Sequence, residues 1–225
     1  MVAEALRSRR PMSASSLTKE KALIFRITHV DNLAHVLAEG CHCRSSSNAQ
    51  GAYVEIGNPE LIGKRSAREV PLEPKGTLSD YVPFYFTPYS PMLLNIKTGY
   101  SGVPKRPLSE IAILVSSVPK LVEQQVPFVF TDRHAYLKMA QFYQNIEDLS
   151  HIAWKHIQAR DFKRDEDNLE KFEKYQAEVL VHKHCPVAAL LGVICYTDSA
   201  RVDAQALADK NGATPKIIAR PTWYP

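Results

Sequence analysis

A carboxylate lies among apolar residues in the stretch KYQAEVLVHKH, residues 174–184. Written as an extended strand, Glu178 shares one face with Leu180, whereas Ala177 and Val179 point to the opposite face. A buried and unpaired carboxylate is costly, so such a residue usually lies at a sheet edge, has a basic partner or carries chemistry. Glu178 is therefore a candidate functional residue.

Three further segments contain residue types that can bind or transform a ligand. RITHVDN (26–32) places a Thr and a His at a strand end, directly before a helix whose N-terminus favours phosphates. GKRSAR (63–68) is basic, and YVPFYFTPYSPML (81–93) is rich in aromatic residues. Each also has an ordinary structural interpretation: a structural histidine, a solvated basic loop and plain core.

Cysteine and histidine occur together in CHC (41–43) and HKHC (182–185), and both side chains suit zinc. The spacing is not that of a standard CxxC pair, and Cys-x-Cys chelates poorly on regular structure. We therefore expect no metal site. The sequence also contains no GxGxxG, P-loop, HExxH or serine-elbow motif, so the common nucleotide-binding and protease chemistries have no support.

The composition is that of an ordinary globular protein, with 225 residues, 45% hydrophobic and 23% charged. A net charge of +4 permits a nucleic-acid partner without requiring one. No apolar run approaches the roughly 20 residues that span a membrane, and the N-terminus has no apolar signal core. Four cysteines form no disulfide framework, so we expect a reducing, cytoplasmic location.

The order of the elements favours an α+β fold over a doubly wound sheet, because strands and helices do not alternate regularly. We expect residues 1–20 to be a flexible extension and residues 21–225 to form a single domain. Within it, Asp31 is the expected cap of the first helix and Gly40 its end. The predicted strands are 23–28, 82–87, 111–117, 127–132, 175–182 and 190–196; the predicted helices are 31–40, about 60–69, 134–144, 149–159 and 202–210. Most of 41–80 is expected to be a loop, and 160–174 a solvated helix or loop.

Several segments in their order along the chain resemble the DarT family. They are RITHVDNL, the basic segment, YVPFYFTPYSPML, VFTDRHA and AEVLVH, and they extend from about residue 23 to about 196. Members of that family are bacterial toxins that use NAD to ADP-ribosylate a base of single-stranded DNA. The resemblance implies an ADP-ribosyltransferase fold, in which helices surround a split, twisted β core and NAD lies in the cleft between two small sheets.

Two residues match the family's catalytic positions. Glu178 matches its catalytic glutamate, which would hold the nicotinamide ribose and stabilise the positive charge that builds as the glycosidic bond breaks. Arg65 matches an arginine of the NAD-covering loop, which can bind pyrophosphate and is implicated in handling the proton of the base. Arg68 lies three residues further on and is the alternative counterpart.

The remaining site residues are assigned by the same resemblance. His29 matches an NAD-contacting histidine, the backbone of Val30 and Asp31 follows it, and Met92 matches a methionine on the nicotinamide side. Residues 134–178 correspond to the substrate-recognition segment.

Within that segment we expect His134, Tyr136 and Arg160 to contact DNA, since bases stack on aromatic rings while basic side chains meet phosphates. Residues 160–174 contain five basic and six acidic side chains, so a positive groove is not evident there.

The functional hypothesis is a monomeric ADP-ribosyltransferase of single-stranded DNA, with thymine as the first candidate base and guanine as the second. It would be the toxin of a bacterial toxin–antitoxin pair, with a macrodomain antitoxin of the DarG type. A second hypothesis is an ADP-ribosyltransferase that modifies protein or RNA. A third is a non-catalytic nucleic-acid-binding module, suggested by the aromatic segment and a pI of 8.8.

Overall fold

The computed structural model describes residues 16–48 and 53–225, which form ten strands and seven α-helices. The strands are β1 (Leu23–His29), β2 (Cys41–His42), β3 (Tyr81–Tyr85), β4 (Ile111–Ser117), β5 (Phe128–Thr131), β6 (Phe142–Tyr143), β7 (Glu178–His182), β8 (His184–Cys185), β9 (Gly192–Cys195) and β10 (Lys216–Ala219). The helices are α1 (Leu33–Glu39), α2 (Pro59–Arg65), α3 (Pro91–Thr98), α4 (Val118–Glu123), α5 (Trp154–Ala159), α6 (Glu170–Tyr175) and α7 (Asp198–Lys210).

Eight strands form one mixed sheet in the order β10-β9-β4-β1-β3-β7-β5-β6. All neighbours are antiparallel except β9 and β10. A separate two-stranded ribbon pairs β2 with β8, with Cys41 opposite Cys185. The fold is therefore α+β, as the sequence predicts.

The large sheet divides between β1 and β3. Strand β1 pairs with β4 along its whole length, from Leu23 to His29, but with β3 only at Phe25, opposite Tyr85. Beyond that pair, the Arg26 guanidinium takes the place of a backbone donor and bonds the carbonyl of Pro83 at 3.1 Å. The two halves of the sheet separate here, which confirms the split β core.

The core is built on strands whose sequences are continuous apolar runs. All seven residues of β4, IAILVSS, are buried, and the predicted strand 111–117 matches it residue for residue. Leu17 also packs into this core, and its carbonyl accepts a hydrogen bond from Gln158. Packed contacts thus begin before the predicted boundary at residue 21, while residues 1–15 lie outside the described part of the chain.

The predicted helix over 134–144 is wrong, because this segment is a turn followed by β6. Asp132 and Gln141 close the turn: the Asp132 amide donates to the Gln141 carbonyl at 3.3 Å, and the Gln141 amide donates to Asp132 Oδ1 at 3.0 Å. These contacts tie the segment into the hairpin of β5 and β6. Apolar spacing alone could not reveal them.

Three other predictions need correction. The 175–182 strand starts only at Glu178, because Tyr175 ends α6 and its hydroxyl bonds the Tyr89 carbonyl at 3.0 Å. Asp31 is not a cap; the His29 imidazole accepts its amide and so begins a 3-10 turn ahead of α1. The short ribbon strands and β10 fall in segments expected to be loop or tail.

No helix in the described ranges is long and apolar enough to cross a membrane.

Replacing Gly40 with Ala is expected to lower the free energy of unfolding by about 2 kcal/mol or more. Gly40 ends α1 with a φ of 86°, and a Cβ would collide with the Cys185 carbonyl of the β2–β8 ribbon. Urea denaturation would measure the loss. Gly63→Ala is the control, since a Cβ there meets open space inside α2 and should be neutral or stabilising. Equal effects of the two changes would contradict the analysis.

Candidate active site

A cavity of about 680 Å³ opens where the two halves of the sheet separate. Its floor is formed by Arg26 and Ile27 of β1 together with β3, and its walls include α2 and Met92 of α3. Alternation along β3 decides which aromatic residues reach it. Tyr81, Pro83 and Tyr85 line the cavity, whereas Phe84 and Phe86 belong to the buried core.

Glu178 is the first residue of β7, directly opposite Tyr85 of β3. Its side chain has no solvent exposure. Arg65 Nη1 donates to both carboxylate oxygens, at 3.0 Å and 3.3 Å, and the Ala135 amide donates to Oε1 at 3.1 Å. The carboxylate itself does not line the cavity; it lies behind Arg65, which does.

The partners of Glu178 keep it ionised despite its burial. Burial acts to raise its pKa, but the charge of Arg65 and the hydrogen bond from the Ala135 amide outweigh burial, so the pKa lies below the ordinary carboxyl value. A desolvated anion of this kind can stabilise a positive charge that develops within reach of it.

His134 contacts the same carboxylate. Its Nδ1 lies 3.2 Å from Glu178 Oε1 and 3.2 Å from the Tyr136 amide nitrogen. Burial and the charge of Arg65 lower the pKa of His134, although Glu178 acts to raise it. The imidazole is therefore neutral near pH 7, and Arg65 is the cation that balances Glu178.

A buried charged cluster holds the loop that carries His134 and Ala135. The Arg133 guanidinium contacts Asp132 at 3.1 Å and, on α6, Glu173 at 3.4 Å and Glu170 at 3.5 Å. The His134 amide also donates to the Glu173 carbonyl at 3.2 Å. Together these contacts fix the Ala135 amide in front of Glu178. No sequence signal distinguished Arg133 from other surface-type arginines.

The two candidate arginines occupy different places. Arg65 is the last residue of α2, a helix that begins with Pro59 and is capped by the Asn58 side chain, which accepts the amides of residues 60 and 61. Arg68 instead bonds the Leu137 carbonyl at 3.2 Å and does not line the cavity. The geometry thus brings Arg65, not Arg68, to Glu178.

Of the residues expected to contact NAD, Met92 and Arg65 line the cavity, whereas His29, Val30 and Asp31 do not. His29 is buried; its Nδ1 accepts the Asp31 amide and its Nε2 lies 3.4 Å from Glu110. Val30 and Asp31 line a second cavity of about 510 Å³, beside α7. Residues 29–31 therefore lie outside the cavity that Arg65 lines.

The three residues expected to contact DNA do not form a single cluster. His134 lies against Glu178, and Tyr136 packs on a small apolar group that includes Leu78 and Val129. Arg160 ends α5, with its guanidinium 3.8 Å from the centre of the Tyr89 ring.

Sequence reasoning missed several residues of the cavity wall. Arg26, Arg44 and Tyr53 all line it, and the Tyr53 hydroxyl lies 2.9 Å from Thr28 Oγ1. Arg26 could have been found, because an arginine inside an otherwise apolar central strand is unusual. Arg44 and Tyr53 lie in the segment expected to be loop, where no periodic pattern identifies them.

The wall fits an anionic dinucleotide such as NAD. Three arginines, Arg26, Arg44 and Arg65, line the cavity, with Glu55 as a partner of Arg44. Within the described ranges, Arg26 Nε and Arg65 Nη2 are buried without a hydrogen-bond partner. Free buried donors of this kind suit phosphate or ribose oxygens.

Replacing Arg65 with Gln is expected to lower the free energy of unfolding at pH 7 by about 3 kcal/mol, because the buried Glu178 loses its cation. The wild-type pKa of Glu178 is lowered in the folded state, so the pair stabilises the protein above the ordinary carboxyl pKa of 4.5 and loses this effect as the pH falls. Denaturation at several pH values would therefore show a difference between wild type and variant that shrinks in acid. Lys64→Gln, which removes an exposed pair with Glu60, is the control and should leave the free energy of unfolding nearly unchanged, because water and salt screen such a pair. A loss for Arg65→Gln that does not change with pH would contradict the pairing.

Comparison with known proteins agrees with this geometry. The family model described as "ssDNA thymidine ADP-ribosyltransferase, DarT" matches residues 25–225. A DNA ADP-ribosyl transferase of Escherichia coli O127:H6 is 47% identical over 211 residues, which are 94% of this chain and 97% of that relative.

Solved structures of Thermus sp. 2.9 DarT have the same fold. The complex with ADP-ribosylated single-stranded DNA has a TM-score of 0.83 at 32% identity, and covers 92% of this chain and 97% of that one. The complex with NAD⁺ has a TM-score of 0.76 at 33% identity, with 92% and 98% covered. With its split sheet, its arginine-lined cavity and a match over residues 25–225, this chain belongs to the DarT family of DNA ADP-ribosyltransferases.

Proposed function

We propose that this protein transfers the ADP-ribose of NAD to a thymine base of single-stranded DNA, with guanine as the second candidate, and that it is the toxin of a toxin–antitoxin pair. The observation that carries the proposal is the buried, ionised Glu178 beside a cavity lined by arginines. The Thermus relative has been captured with NAD⁺ and with ADP-ribosylated single-stranded DNA. The family description names thymidine, which supports thymine as the first choice.

Glu178 acts in this proposal as the anion that stabilises the ribose as its bond to nicotinamide breaks. The reacting sugar gains positive charge, and a desolvated carboxylate lowers the energy of that state. In the structure Arg65 is paired with the Glu178 carboxylate, so NAD binding must move the guanidinium away from it. The pyrophosphate of NAD offers it an alternative anion, with which a planar guanidinium can form two parallel hydrogen bonds.

Arg65 also contributes to handling the proton of the target base. An arginine remains protonated at any physiological pH and is a poor general base. It acts instead by stabilising the negative charge on a base that loses its proton. The resemblance leaves Arg65 and Arg68 as alternatives, and the contact with Glu178 favours Arg65.

The other proposed contacts have unequal support. Met92 lines the cavity and suits the nicotinamide side of NAD. His29, Val30 and Asp31 are proposed from the family resemblance alone.

His134, Tyr136 and Arg160 are proposed to meet the DNA strand. His134 has the most direct support, because it contacts Glu178 and also lines the cavity, so a base that reached the ribose would pass it.

Glu178→Gln is expected to reduce ADP-ribosylation at least 1,000-fold, because the amide keeps the shape but removes the charge. Wild type and variant would each be incubated with NAD and a mixed-sequence single-stranded oligonucleotide. Mass spectrometry should show the addition of one ADP-ribose for wild type only, and fragmentation would name the base. Glu123→Gln is the matched control, since this glutamate is exposed on α4 and should leave the yield unchanged.

The same assay separates the alternative substrates. NAD consumption by wild type without modification of the oligonucleotide would contradict the DNA assignment, and label transferred to protein or RNA would then support the second hypothesis. Oligonucleotide binding without NAD consumption would support the non-catalytic module. Modification of guanine in place of thymine would show that guanine is the target base, and the proposed reaction class would be unchanged.

Expression of the wild-type chain in bacterial cells is expected to stop growth, because modified bases block DNA synthesis. Glu178→Gln should be tolerated at the same protein level, measured by immunoblot. Co-expression of a macrodomain antitoxin of the DarG type should restore growth of cells that carry the wild type, since macrodomains bind ADP-ribose. If Glu178→Gln stopped growth as strongly as the wild type does, the proposed toxin mechanism would be contradicted.

A further inference from the structure

Three side chains with metal-ligating atoms meet where α1 ends and the β2–β8 ribbon begins. They are His35 and Glu39, one turn apart on α1, and His42 of β2. His35 Nδ1 lies 3.9 Å from Glu39 Oε1, and His42 Nε2 lies 4.0 Å from Glu39 Oε2. One ligand atom from each residue lies within 4.8 Å of the other two.

The two histidines flank the Glu39 carboxylate without hydrogen-bonding it. Both imidazole–carboxylate separations exceed hydrogen-bonding distance, and no hydrogen bond in the described part of the chain engages the His35 ring, the His42 ring or the Glu39 carboxylate. In a tetrahedral zinc site with bonds of about 2.0–2.2 Å, ligand atoms lie roughly 3.4 Å apart. Small side-chain rotations would bring the three donors to that spacing.

The backbone around the cluster is held in place. Gly40, with a φ of 86°, turns the chain sharply after Glu39, so that His42 returns to the face of α1 that carries His35. His184 of β8 stacks on His42, with ring centres 4.3 Å apart, and its Nε2 lies 2.6 Å from the Glu39 carbonyl. The stacked His184 ring restricts the orientation of the His42 ring.

We propose that His35, Glu39 and His42 form a binding site for a divalent transition-metal ion, with Zn²⁺ as the first candidate. Two imidazoles and one carboxylate are a donor set that zinc accepts, with a fourth position left open. His35 and His42 also line the large cavity, so the open position faces it and can take water or an anionic oxygen. The site does not depend on the proposed function.

The neighbouring cysteines are not part of this donor set. Cys43 Sγ lies 3.3 Å from Ser45 Oγ, and Cys41 is buried opposite Cys185 in the ribbon. This differs from the zinc pattern considered for CHC and HKHC, which would use the thiols. The proposed site instead uses His35 and Glu39, which lie one helical turn apart, together with His42.

Titration of the full-length protein with Co²⁺, followed by visible absorption, tests the site. Wild type should bind one Co²⁺ with the d–d bands of a nitrogen- and oxygen-ligated ion, and Zn²⁺ should displace it. His35→Gln and His42→Gln should each weaken binding at least ten-fold. His151→Gln is the matched control, because this histidine is exposed and lies outside the cluster.

The side chains of His35 and His42 are 19% and 11% exposed, so circular dichroism would first verify that both variants fold. Absence of stoichiometric Co²⁺ binding by wild type would overturn the proposal. Equal binding by wild type and both variants would do the same. A strong thiolate charge-transfer band would assign the metal to the cysteines, which also contradicts the proposed ligands.

Discussion

The burial of one ionised carboxylate is the constraint on which the rest of the site depends. Glu178 has no exposed surface, and an unpaired charge there would cost several kcal/mol. Its compensation comes from two separate parts of the chain: Arg65 at the end of α2 and the Ala135 amide in the loop after β5. The same charge thereby fixes the end of α2 and the loop after β5 relative to β7.

The Arg65–Glu178 ion pair also prepares the protein to bind an anionic ligand. The Arg65–Glu178 pair keeps both charges satisfied when the cavity contains no ligand. In the proposed function, a dinucleotide whose pyrophosphate attracts Arg65 would release the carboxylate toward the ribose, so one exchange of partners would bind the cofactor and expose Glu178. Arg26 and Arg44 add positive charge on the cavity side of that exchange. Under the proposed function, binding energy and catalytic readiness are thus coupled through a single ion pair.

The sequence predicts the parts of this structure that follow from local patterns. The apolar run of β4 and the unusual position of Glu178 are both visible in it. The turn at 133–140 is not, since it depends on hydrogen bonds between Asp132 and Gln141 that override helical spacing. The short β2–β8 ribbon is likewise invisible, because pairs of two residues carry no periodicity. The arginines of the cavity wall lie in three separate segments, β1, the turn after β2 and α2, and meet only in the folded chain.

The lack of a positive stripe between residues 160 and 174 has a structural reason. Lys171 bonds Asp161 at 3.0 Å and Asp165 at 3.1 Å, and Lys174 pairs with Glu170. Arg133 draws on Glu170 and Glu173 of the same helix. These acids therefore neutralise cations of the protein, and their ion pairs tie α6 to Asp161, Asp165 and Arg133. Of the five basic side chains in this segment, Lys171 and Lys174 are already in ion pairs, so we expect selectivity to come from contacts to an unstacked base near Glu178 more than from a line of phosphate contacts.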